Sequence, residues 1–404
     1  MRSVARPRTG VPLTVLFLVN VLNYYDRQAL GAVVEPLRHE FHLSDTQLAL
    51  IPTLFTIIYA IAGLPLGRIA DTGSRKRLLA VGVAAWAGLT ALGAAAANFA
   101  MLLFTRLGVG VGEAVCAPAA TSWIGDLVPA KGRARALAGF MMAVPIGVML
   151  SLAVTGPVAQ ARGWRIALAV AALPAVLLIP ALLALEEPRR ESLAGNSASP
   201  RMLARVPALW WIAGSGALVN SVLYTFSYFM PAFLTRVHGW SVGQAGLWTG
   251  IGSGVAGILG AVAAGVFGAG RLRLAAQASL LAAPFAAAAI LLPPGSAAGA
   301  LCLGMLAYGL LQTYYGLVYS AMHDIVAPEL RGTAMSAYLM VSYLGGASFG
   351  PLLTGGLSDR FARMSGASAE AAKAIGLHQA MYVIPVLCVA LAAVLWGAAK
   401  ARRP

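Results

Sequence analysis

Apolar stretches of membrane-spanning length recur along the whole chain and are separated by short polar loops. A helix needs about 20 apolar residues, at a rise of about 1.5 Å each, to cross the hydrocarbon core of a bilayer. Twelve stretches meet this requirement, with predicted ranges 11–37, 45–70, 77–97, 100–128, 136–161, 164–185, 208–237, 244–268, 272–293, 297–323, 333–357 and 377–399. The pattern therefore predicts an all-α membrane protein with twelve transmembrane helices.

The two halves of the chain carry matching landmarks at one constant offset. Four residues, Gly67, Arg75, Asp126 and Arg133, recur 198 positions later as Gly265, Arg273, Asp324 and Arg331. Four matches in one register indicate a duplicated plan. Parallel repeats of membrane helices are typical of secondary transporters, whose substrate site lies between the repeats. We predict a six-helix bundle at 1–185, a cytoplasmic linker at 186–207 and a second six-helix bundle at 208–404.

The composition agrees with a polytopic membrane protein. Hydrophobic residues occupy 59% of the 404 positions and charged residues 11%, and the net charge is +15. Most of the 29 basic residues fall in loops on the same side as both termini. This bias follows the positive-inside rule and predicts that both termini are cytoplasmic. The excess charge then indicates contact with membrane lipids, and we expect no nucleic-acid partner.

Sequence features of an enzyme or a primary pump are absent. The chain has no phosphate-binding loop and no cluster of His and Cys at metal-ligand spacing, and its three cysteines, Cys116, Cys302 and Cys388, all lie in predicted spans. We therefore expect no catalytic activity, no cofactor and no metal. A channel is an alternative, although channels usually assemble around a symmetric pore and this chain supplies its own two halves.

A charged motif follows the second span. It reads Gly67-Arg-Ile-Ala-Asp71-Thr-Gly-Ser-Arg75-Lys76. This motif resembles the signature loop of the major facilitator superfamily, with Thr72 and Ser74 in place of the usual basic residue and glycine. The resemblance implies a cytoplasmic gate, to which we assign Gly67, Asp71, Arg75, Lys76, Asp126 and Arg133. A loop that serves only to fix the topology is the alternative.

Two further motifs narrow the resemblance. Asn23-Tyr24-Tyr25-Asp26-Arg27 in the first span and Thr105-Arg106-Leu-Gly-Val-Gly-Val-Gly-Glu113 in the fourth resemble the spinster branch of that superfamily, and the similarity covers about the first 160 residues. It implies the major facilitator fold and a monomeric secondary transporter in the inner (plasma) membrane of a bacterium. Animal members carry lysophospholipids and sphingoid lipids, so we expect an amphiphilic or anionic solute. An organic acid or a drug is the alternative cargo.

Four ionisable residues lie inside apolar spans: Asp26, Arg27, Arg106 and Glu113. Each costs about 2.5–3.5 kcal/mol at mid-membrane on an insertion scale, so a functional role is the default expectation. Arg106 and Glu113 share one helix face but are about 10.5 Å apart along the axis, so we expect Arg106 to pair with Asp26 instead. We predict that Asp26 and Glu113 couple protons, that Arg106 is the countercharge and substrate anchor, and that Arg27 assists. A structural salt bridge between the first and fourth helices is the alternative.

The second half offers polar and aromatic stripes in place of charges. The seventh span carries Asn220, Tyr224 and Tyr228, and the tenth carries Gln312, Tyr315 and Tyr319, each set on one helix face. Together with Asn23 and Tyr24 of the first span, we predict that they line the substrate cavity. Packing and interface anchoring are alternative roles for the tyrosines.

Overall fold

The computed structural model describes residues 9–188, 207–266, 270–326 and 331–401. Helix dominates this part of the chain, and no strand occurs in it. Its helical segments form twelve consecutive helices, some of them interrupted by a turn, which we number from first to twelfth.

The first helix consists of Gly10–Ala29, a 3₁₀ turn at Leu30–Val33, and Val34–Phe41. The second to sixth helices are Asp45–Thr72; Arg75–Ala94; Phe99–Glu113 with Cys116–Leu127; Ala130–Met141 with Ala143–Arg162; and Trp164–Ala184. The seventh to tenth helices are Pro207–His238, Val242–Val266, Arg271–Leu291 and Ala297–Ile325. The eleventh is Arg331–Ser342, a π turn at Tyr343–Ala347, and Phe349–Met364; the twelfth is Ala369–Ala380 with Val383–Ala401.

Each of the twelve predicted spans overlaps one of these helices. Within the described ranges, ten helices are long and apolar enough to cross a membrane, and the first and eleventh are not among the ten. The first falls short because its long segment, Gly10–Ala29, carries Asp26 and Arg27. The eleventh falls short because its π turn divides it into segments of 12 and 16 residues. The fifth and twelfth helices begin several residues before the predicted spans, because their first turns carry charged residues that an apolar window omits.

Two ends of the helix bundle are needed to describe the site. We call the end that carries the turns at 73–74 and 128–129 and residues 185–188 the linker face. The opposite end, which carries the turns at 42–44, 239–241 and 365–368, is the distal face.

The two halves pack closely where glycines allow it. A Cβ on Gly156 of the fifth helix would lie 2.9 Å from the Cα of Gly246 of the eighth, a separation that real side chains do not adopt. A Cβ on Gly355 of the eleventh helix would likewise lie 2.9 Å from the Cβ of Ala49 of the second. Small residues are favoured at such contacts because membrane helices associate largely through close van der Waals packing.

Large apolar side chains cover the outside of the bundle. Phe104, Leu177 and Val266 are more than 70% exposed. Such exposure would be unfavourable in water but suits a surface that faces lipid chains. Most of the polar and charged side chains described below are instead turned inward.

Candidate functional site

The first helix changes its winding just after its two adjacent charges. Asp26 and Arg27 lie in the last turn of Gly10–Ala29, directly before the 3₁₀ turn at Leu30–Val33. A stretch of 3₁₀ winding inside a helix often marks a functional position, because the hydrogen-bond ladder is altered there. Both side chains are only 3% exposed, so the turn is buried within the bundle.

Asp26 pairs with Arg106 of the fourth helix, as expected from the sequence. Arg106 Nη1 lies 3.5 Å from Asp26 Oδ2. Thr90 of the third helix joins the pair, because its hydroxyl lies 2.7 Å from Asp26 Oδ2 and 2.9 Å from Arg106 Nη2. No charge or motif in the sequence singles out Thr90.

Arg27 is the direct partner of Glu113. Its Nε and Nη2 atoms both lie 3.3 Å from Glu113 Oε2, and Glu113 has no exposed surface. Asn23, one turn earlier, orients this pair: it accepts from Arg27 Nη2 at 3.2 Å and donates to the Glu113 carbonyl oxygen at 3.5 Å. The pairing explains how Arg27 is held in an apolar helix, which the sequence alone left open.

Each of the two carboxylates keeps one oxygen without a hydrogen-bond partner among the described residues. These atoms are Asp26 Oδ1 and Glu113 Oε1, and both are buried. The buried Arg106 Nε also has no hydrogen-bond partner in this part of the chain. An unsatisfied buried polar group costs on the order of 1–3 kcal/mol. Protonation removes the charge and turns the carboxylate into a donor as well as an acceptor. We call these two pairs, with Thr90, the interior site.

Aromatic rings surround the Arg27 guanidinium. Its central carbon lies 4.3 Å from the ring centre of Tyr59, 4.8 Å from that of Tyr24 and 5.4 Å from that of Phe55. A cation at these distances is attracted to the ring faces. Tyr59 and Phe55 are four residues apart in the second helix, so the spacing rule used for the seventh and tenth helices would also have found them.

A cavity of about 10 Å³ lies beside the interior site, between the halves. Its lining residues are Asp26, Arg27, Leu30, Ile51, Pro52, Phe55, Arg106 and Tyr228. Tyr228 belongs to the seventh helix, and its hydroxyl donates to the Leu48 carbonyl of the second helix at 2.8 Å. This volume is close to the space that one water molecule needs. The Asp26 pair therefore borders the interface between the halves, whereas Glu113 is reached through Arg27.

The predicted stripes of the seventh and tenth helices meet each other. The Tyr315 hydroxyl donates to Asn220 Oδ1 at 3.1 Å, and the rings of Tyr315 and Tyr319 are 5.7 Å apart. Gln312 lies against the eighth helix. A Cβ added to Gly260 of that helix would lie 2.8 Å from the Cβ of Gln312. These residues form one polar and aromatic wall of the second half.

Tyr343 links this wall to the first half. Its ring centre lies 5.9 Å from that of Tyr59 and 6.4 Å from that of Tyr224. It is the first residue of the π turn at Tyr343–Ala347. Such turns insert an extra residue and redirect the side chains around them. The sequence pattern predicts a regular eleventh helix, so Tyr343 was not predicted as a site residue.

The linker face contains a second set of charged contacts, within the first half. Arg75 has no exposed surface and forms an ion pair with Asp126. Its Nε also lies 3.0 Å from Glu187 Oε1. Lys76 Nζ donates to the carbonyl oxygens of Leu183 and Leu185 at 3.1 and 2.9 Å. Three predicted gate residues, Arg75, Lys76 and Asp126, are thus brought together.

Glu187, in the predicted linker, caps the third helix. Its carboxylate accepts from the Ser74 hydroxyl at 2.7 Å and from the backbone N–H of Arg75 at 2.9 Å. Burial raises the pKa of Glu187, but these hydrogen bonds outweigh it and hold the pKa below its ordinary value. Glu187 is therefore an anionic cap at a helix N-terminus, where the helix dipole favours negative charge.

The other predicted gate residues are less informative. A Cβ added to Gly67 would meet Pro118 only at an ordinary distance of 3.9 Å, so no close approach requires glycine there. Arg133 has a buried Nε without a hydrogen-bond partner in the described part of the chain. The Asp71 side chain lies outside the described part of the structure. In the second half, Asp324 pairs with Arg271 at 3.0 Å, and both are partly exposed. Among the described contacts, this pair is more exposed than the pair of Arg75 and Asp126.

The comparisons with known proteins agree with this arrangement. The family model described as Major Facilitator Superfamily matches residues 16–351. The chain belongs to the major facilitator superfamily. Among curated proteins it is 32% identical to an MFS-type efflux pump of Mycolicibacterium smegmatis, over 95% of this chain and 92% of that one. It is 30% identical to protein spinster homolog 1 of Mus musculus, over 89% of this chain and 75% of that one.

A similar solved structure supports the same family and fold. The crystal structure of a bacterial homolog to the human lysosomal transporter Spinster, inward-facing and unoccupied, aligns with a TM-score of 0.88 and 26% identity. The alignment covers 98% of both chains. The predicted family and fold are confirmed: the protein is a multi-pass, spinster-type transporter with the major facilitator fold.

The distal face of this transporter holds a charged network that the sequence analysis missed. Arg236 of the seventh helix binds Asp45 of the second with both Nη atoms, at 2.8 and 2.9 Å, and binds Glu35 of the first through Nε at 2.6 Å. Arg236 is 4% exposed and Asp45 not at all. Arg236 lies at the very end of the predicted seventh span, 208–237, and nothing in its sequence context marks it as a site residue.

Asp359 of the eleventh helix extends the distal network. Its two oxygens accept from the backbone N–H groups of Asp45 and Thr46, at 3.0 and 2.9 Å, and so cap the second helix from the other half. Lys373 Nζ lies 3.1 Å from Asp359. On the other side, Arg38 joins Glu35 to Glu370 of the twelfth helix. We call these seven ion-paired residues, with Thr46, the distal network; it closes the distal face between the halves.

Proposed function

We propose that this spinster-type transporter is a proton-coupled carrier that moves an amphiphilic or anionic solute by alternating access. The observation that carries the proposal is the pair of half-satisfied buried carboxylates, Asp26 Oδ1 and Glu113 Oε1. Each lies beside an arginine, and the Asp26 pair borders the interface cavity. Burial disfavours a charged carboxylate, whereas a neighbouring arginine favours it. A change in cavity hydration can therefore shift the balance.

The coupling follows from the charges. While Glu113 is ionised, it holds Arg27 within the first half. Protonation of Glu113 removes that attraction, so Arg27 becomes free to bind an anionic group in the cavity. Asp26 and Arg106 form the second pair of the same kind. Binding a proton and binding an anion are then linked, because each proton makes one arginine available.

The aromatic wall supports an amphiphilic cargo. Arginines beside the cavity suit an anionic head group, and the rings of Tyr224, Tyr315 and Tyr319 suit an apolar body. Lysophospholipids combine both parts, as do sphingoid lipids that carry a phosphate. A second candidate is a drug or organic-acid carrier, because a relative 32% identical over 95% of the chain is named an efflux pump.

We further propose that the linker face and both termini face the cytoplasm of a bacterial inner membrane, and that the protein acts as a monomer. The distribution of basic residues supports this orientation. The bundles at 1–185 and 208–404 would rock against each other around the interior site. The distal network closes one end, which suits the state named inward-facing in the similar crystal structure.

The proposal is tested in two steps. Purified protein is first screened by thermal shift against lysophospholipids, sphingoid bases, organic acids and cationic drugs. The best ligand is then added to proteoliposomes that contain a trapped pH-sensitive dye, and proton movement is compared with empty liposomes. Ligand flux that saturates and carries protons supports the proposal. Ligand flux without proton movement would leave an uncoupled carrier and contradict the coupling.

A further inference from the structure

Thr90 directs its hydroxyl to the interior site instead of its own helix. Thr56 and Thr121 each donate to a carbonyl oxygen four residues earlier, as threonines in helices commonly do. The Thr90 hydroxyl instead lies 2.7 Å from Asp26 Oδ2 and 2.9 Å from Arg106 Nη2. A guanidinium only donates hydrogen bonds. The hydroxyl therefore accepts from Arg106 and donates its single proton to Asp26.

The third helix is shaped to hold this contact. Thr90 has no exposed surface. One turn later, a Cβ on Gly93 would lie 3.0 Å from Thr105 Oγ1 and 3.3 Å from Arg106 Nη2. Any larger residue at position 93 would push against the guanidinium. The helix therefore leaves room for Arg106 beside the threonine.

The contact makes the two oxygens of Asp26 unequal. Oδ2 has both Thr90 and Arg106 as neighbours, whereas Oδ1 has no hydrogen-bond partner among the described residues. A proton can thus bind at Oδ1 without breaking a hydrogen bond. A hydrogen bond donated to a carboxylate also favours its charged form.

We propose that Thr90 is a positioning residue of the transport cycle, whose hydroxyl joins Arg106 to Asp26 and sets the pH at which Asp26 accepts a proton. The inference rests on the proposed proton coupling, because it concerns one of the same two carboxylates. It assigns a role to the third helix, which carries no charge near the interior site.

Besides Thr90, several charged or titratable groups also surround Asp26. Arg106 and Glu113 approach from the fourth helix, Arg27 and Tyr25 belong to the first, and Tyr228 lines the cavity from the seventh. The second helix contributes Ile51, Pro52 and Phe55 to the cavity, which are apolar. Replacing Thr90 leaves all these charges in place. Its effect on Asp26 can therefore be separated from theirs.

The test measures protonation of Asp26 in the purified full-length protein. Infrared absorption of protonated carboxyl groups is followed across pH, and the part that Asp26→Asn lacks is assigned to Asp26. Thr90→Val keeps the side-chain shape without the hydroxyl, so we expect the midpoint of the Asp26 signal to differ from that of the unaltered protein. Thr90→Ser retains the hydroxyl and is expected to keep the original midpoint.

Thr56→Val is the matched control, because Thr56 is equally buried but donates to its own helix. It should not move the midpoint. If Thr90→Val does not fold, Thr90→Ala tests for the same change of midpoint. A lower unfolding temperature with an unmoved midpoint would make Thr90 merely structural and overturn the inference, while proton coupling stands. An Asp26 that never titrates in the unaltered protein would overturn both proposals.

Discussion

The distal network and the interior site are both clusters of charge with a buried centre, but they differ in where their partners come from. The distal network joins the first half to the second: Arg236 holds Glu35 and Asp45, and Asp359 caps the second helix. The interior site draws its ion pairs from the first half alone. The first arrangement is suited to holding two bodies together, and the second to changing charge within one of them.

The two clusters also differ in how well their oxygens are satisfied. Both oxygens of Asp45 and both of Asp359 have hydrogen-bond partners. Asp26 and Glu113 each keep one buried oxygen without a partner in the described chain. A fully bonded carboxylate loses a hydrogen bond when it is protonated, whereas a half-bonded one does not. We therefore expect the distal network to act as a lock and the interior site as the protonation switch.

The largest expected effect comes from removing the switch. Glu113→Gln keeps the shape of the side chain but cannot exchange a proton. We expect uptake driven by a pH gradient to fall at least tenfold in proteoliposomes, with the ligand returned by the thermal-shift screen. Counterflow without a gradient should persist and serves as the control. Unaltered pH-driven uptake in this variant would remove Glu113 from the coupling role.

Removing the countercharge should affect binding next. Arg106→Ala leaves Asp26 and Thr90 without their cationic partner and deletes the proposed anchor for an anion. We expect at least a tenfold loss of affinity for an anionic ligand, together with a destabilisation of about 3–5 kcal/mol from the unpaired carboxylate. A thermal-shift titration measures both. Retained affinity at lower stability would make Arg106 a structural charge only.

Opening the lock should expose the interface. Arg236→Ala removes the cation that pairs with both Glu35 and Asp45. We therefore expect the conformation with a closed distal face to be less populated. The readout is the labelling rate of a cysteine introduced at Ala32, which is 3% exposed, in protein whose exposed Cys302 has been replaced. We expect a rise of several-fold.

The control for the lock is a salt bridge on the same face that does not join the halves. Arg165 pairs with Glu40 at 2.6 Å, both lie in the first half, and both are about 40% exposed. Exposed pairs contribute little, about 0–1 kcal/mol. Arg165→Ala should therefore leave the labelling of Ala32→Cys unchanged. An equal rise in both variants would show that the distal network is not a specific lock.

The smallest expected effect lies at the linker face. Glu187→Gln weakens the cap on the third helix and should lower stability by about 1 kcal/mol at neutral pH. Because the folded-state pKa of Glu187 is lowered, its contribution is present above the ordinary carboxylate range and is lost as the pH falls through the folded-state value. Thermal unfolding should thus differ from the parent at pH 7 and converge with it in acid.

Glu186 provides the comparison for Glu187, since it is the preceding residue and is exposed. Glu186→Gln should leave the unfolding temperature unchanged at both pH values. A loss of stability in Glu187→Gln that persists undiminished in acid would mean that its charge is not what stabilises the cap.

The sequence by itself determined the twelve helices, the family and the four charges of the interior site. It could do so because these features are local: an apolar stretch shows its length directly, and a charge within it stands out. Helical periodicity also placed Arg106 and Glu113 on one face of the fourth helix, too far apart to pair with each other. Asp26 of the first helix was therefore the predicted partner of Arg106. The duplicated landmarks identified the two-half plan for the same reason.

The tertiary structure decided the partners. Thr90, Arg236 and Asp359 are ordinary residues in the sequence, and each gains its place only when a distant helix packs against it. Tyr343 is redirected by a π turn that no local pattern reveals. Arg236 is a charge at the end of a predicted span, and only the fold shows that it pairs with Glu35 and Asp45. Burial and pairing depend on contacts between residues far apart in the chain, and a one-dimensional pattern does not contain those contacts.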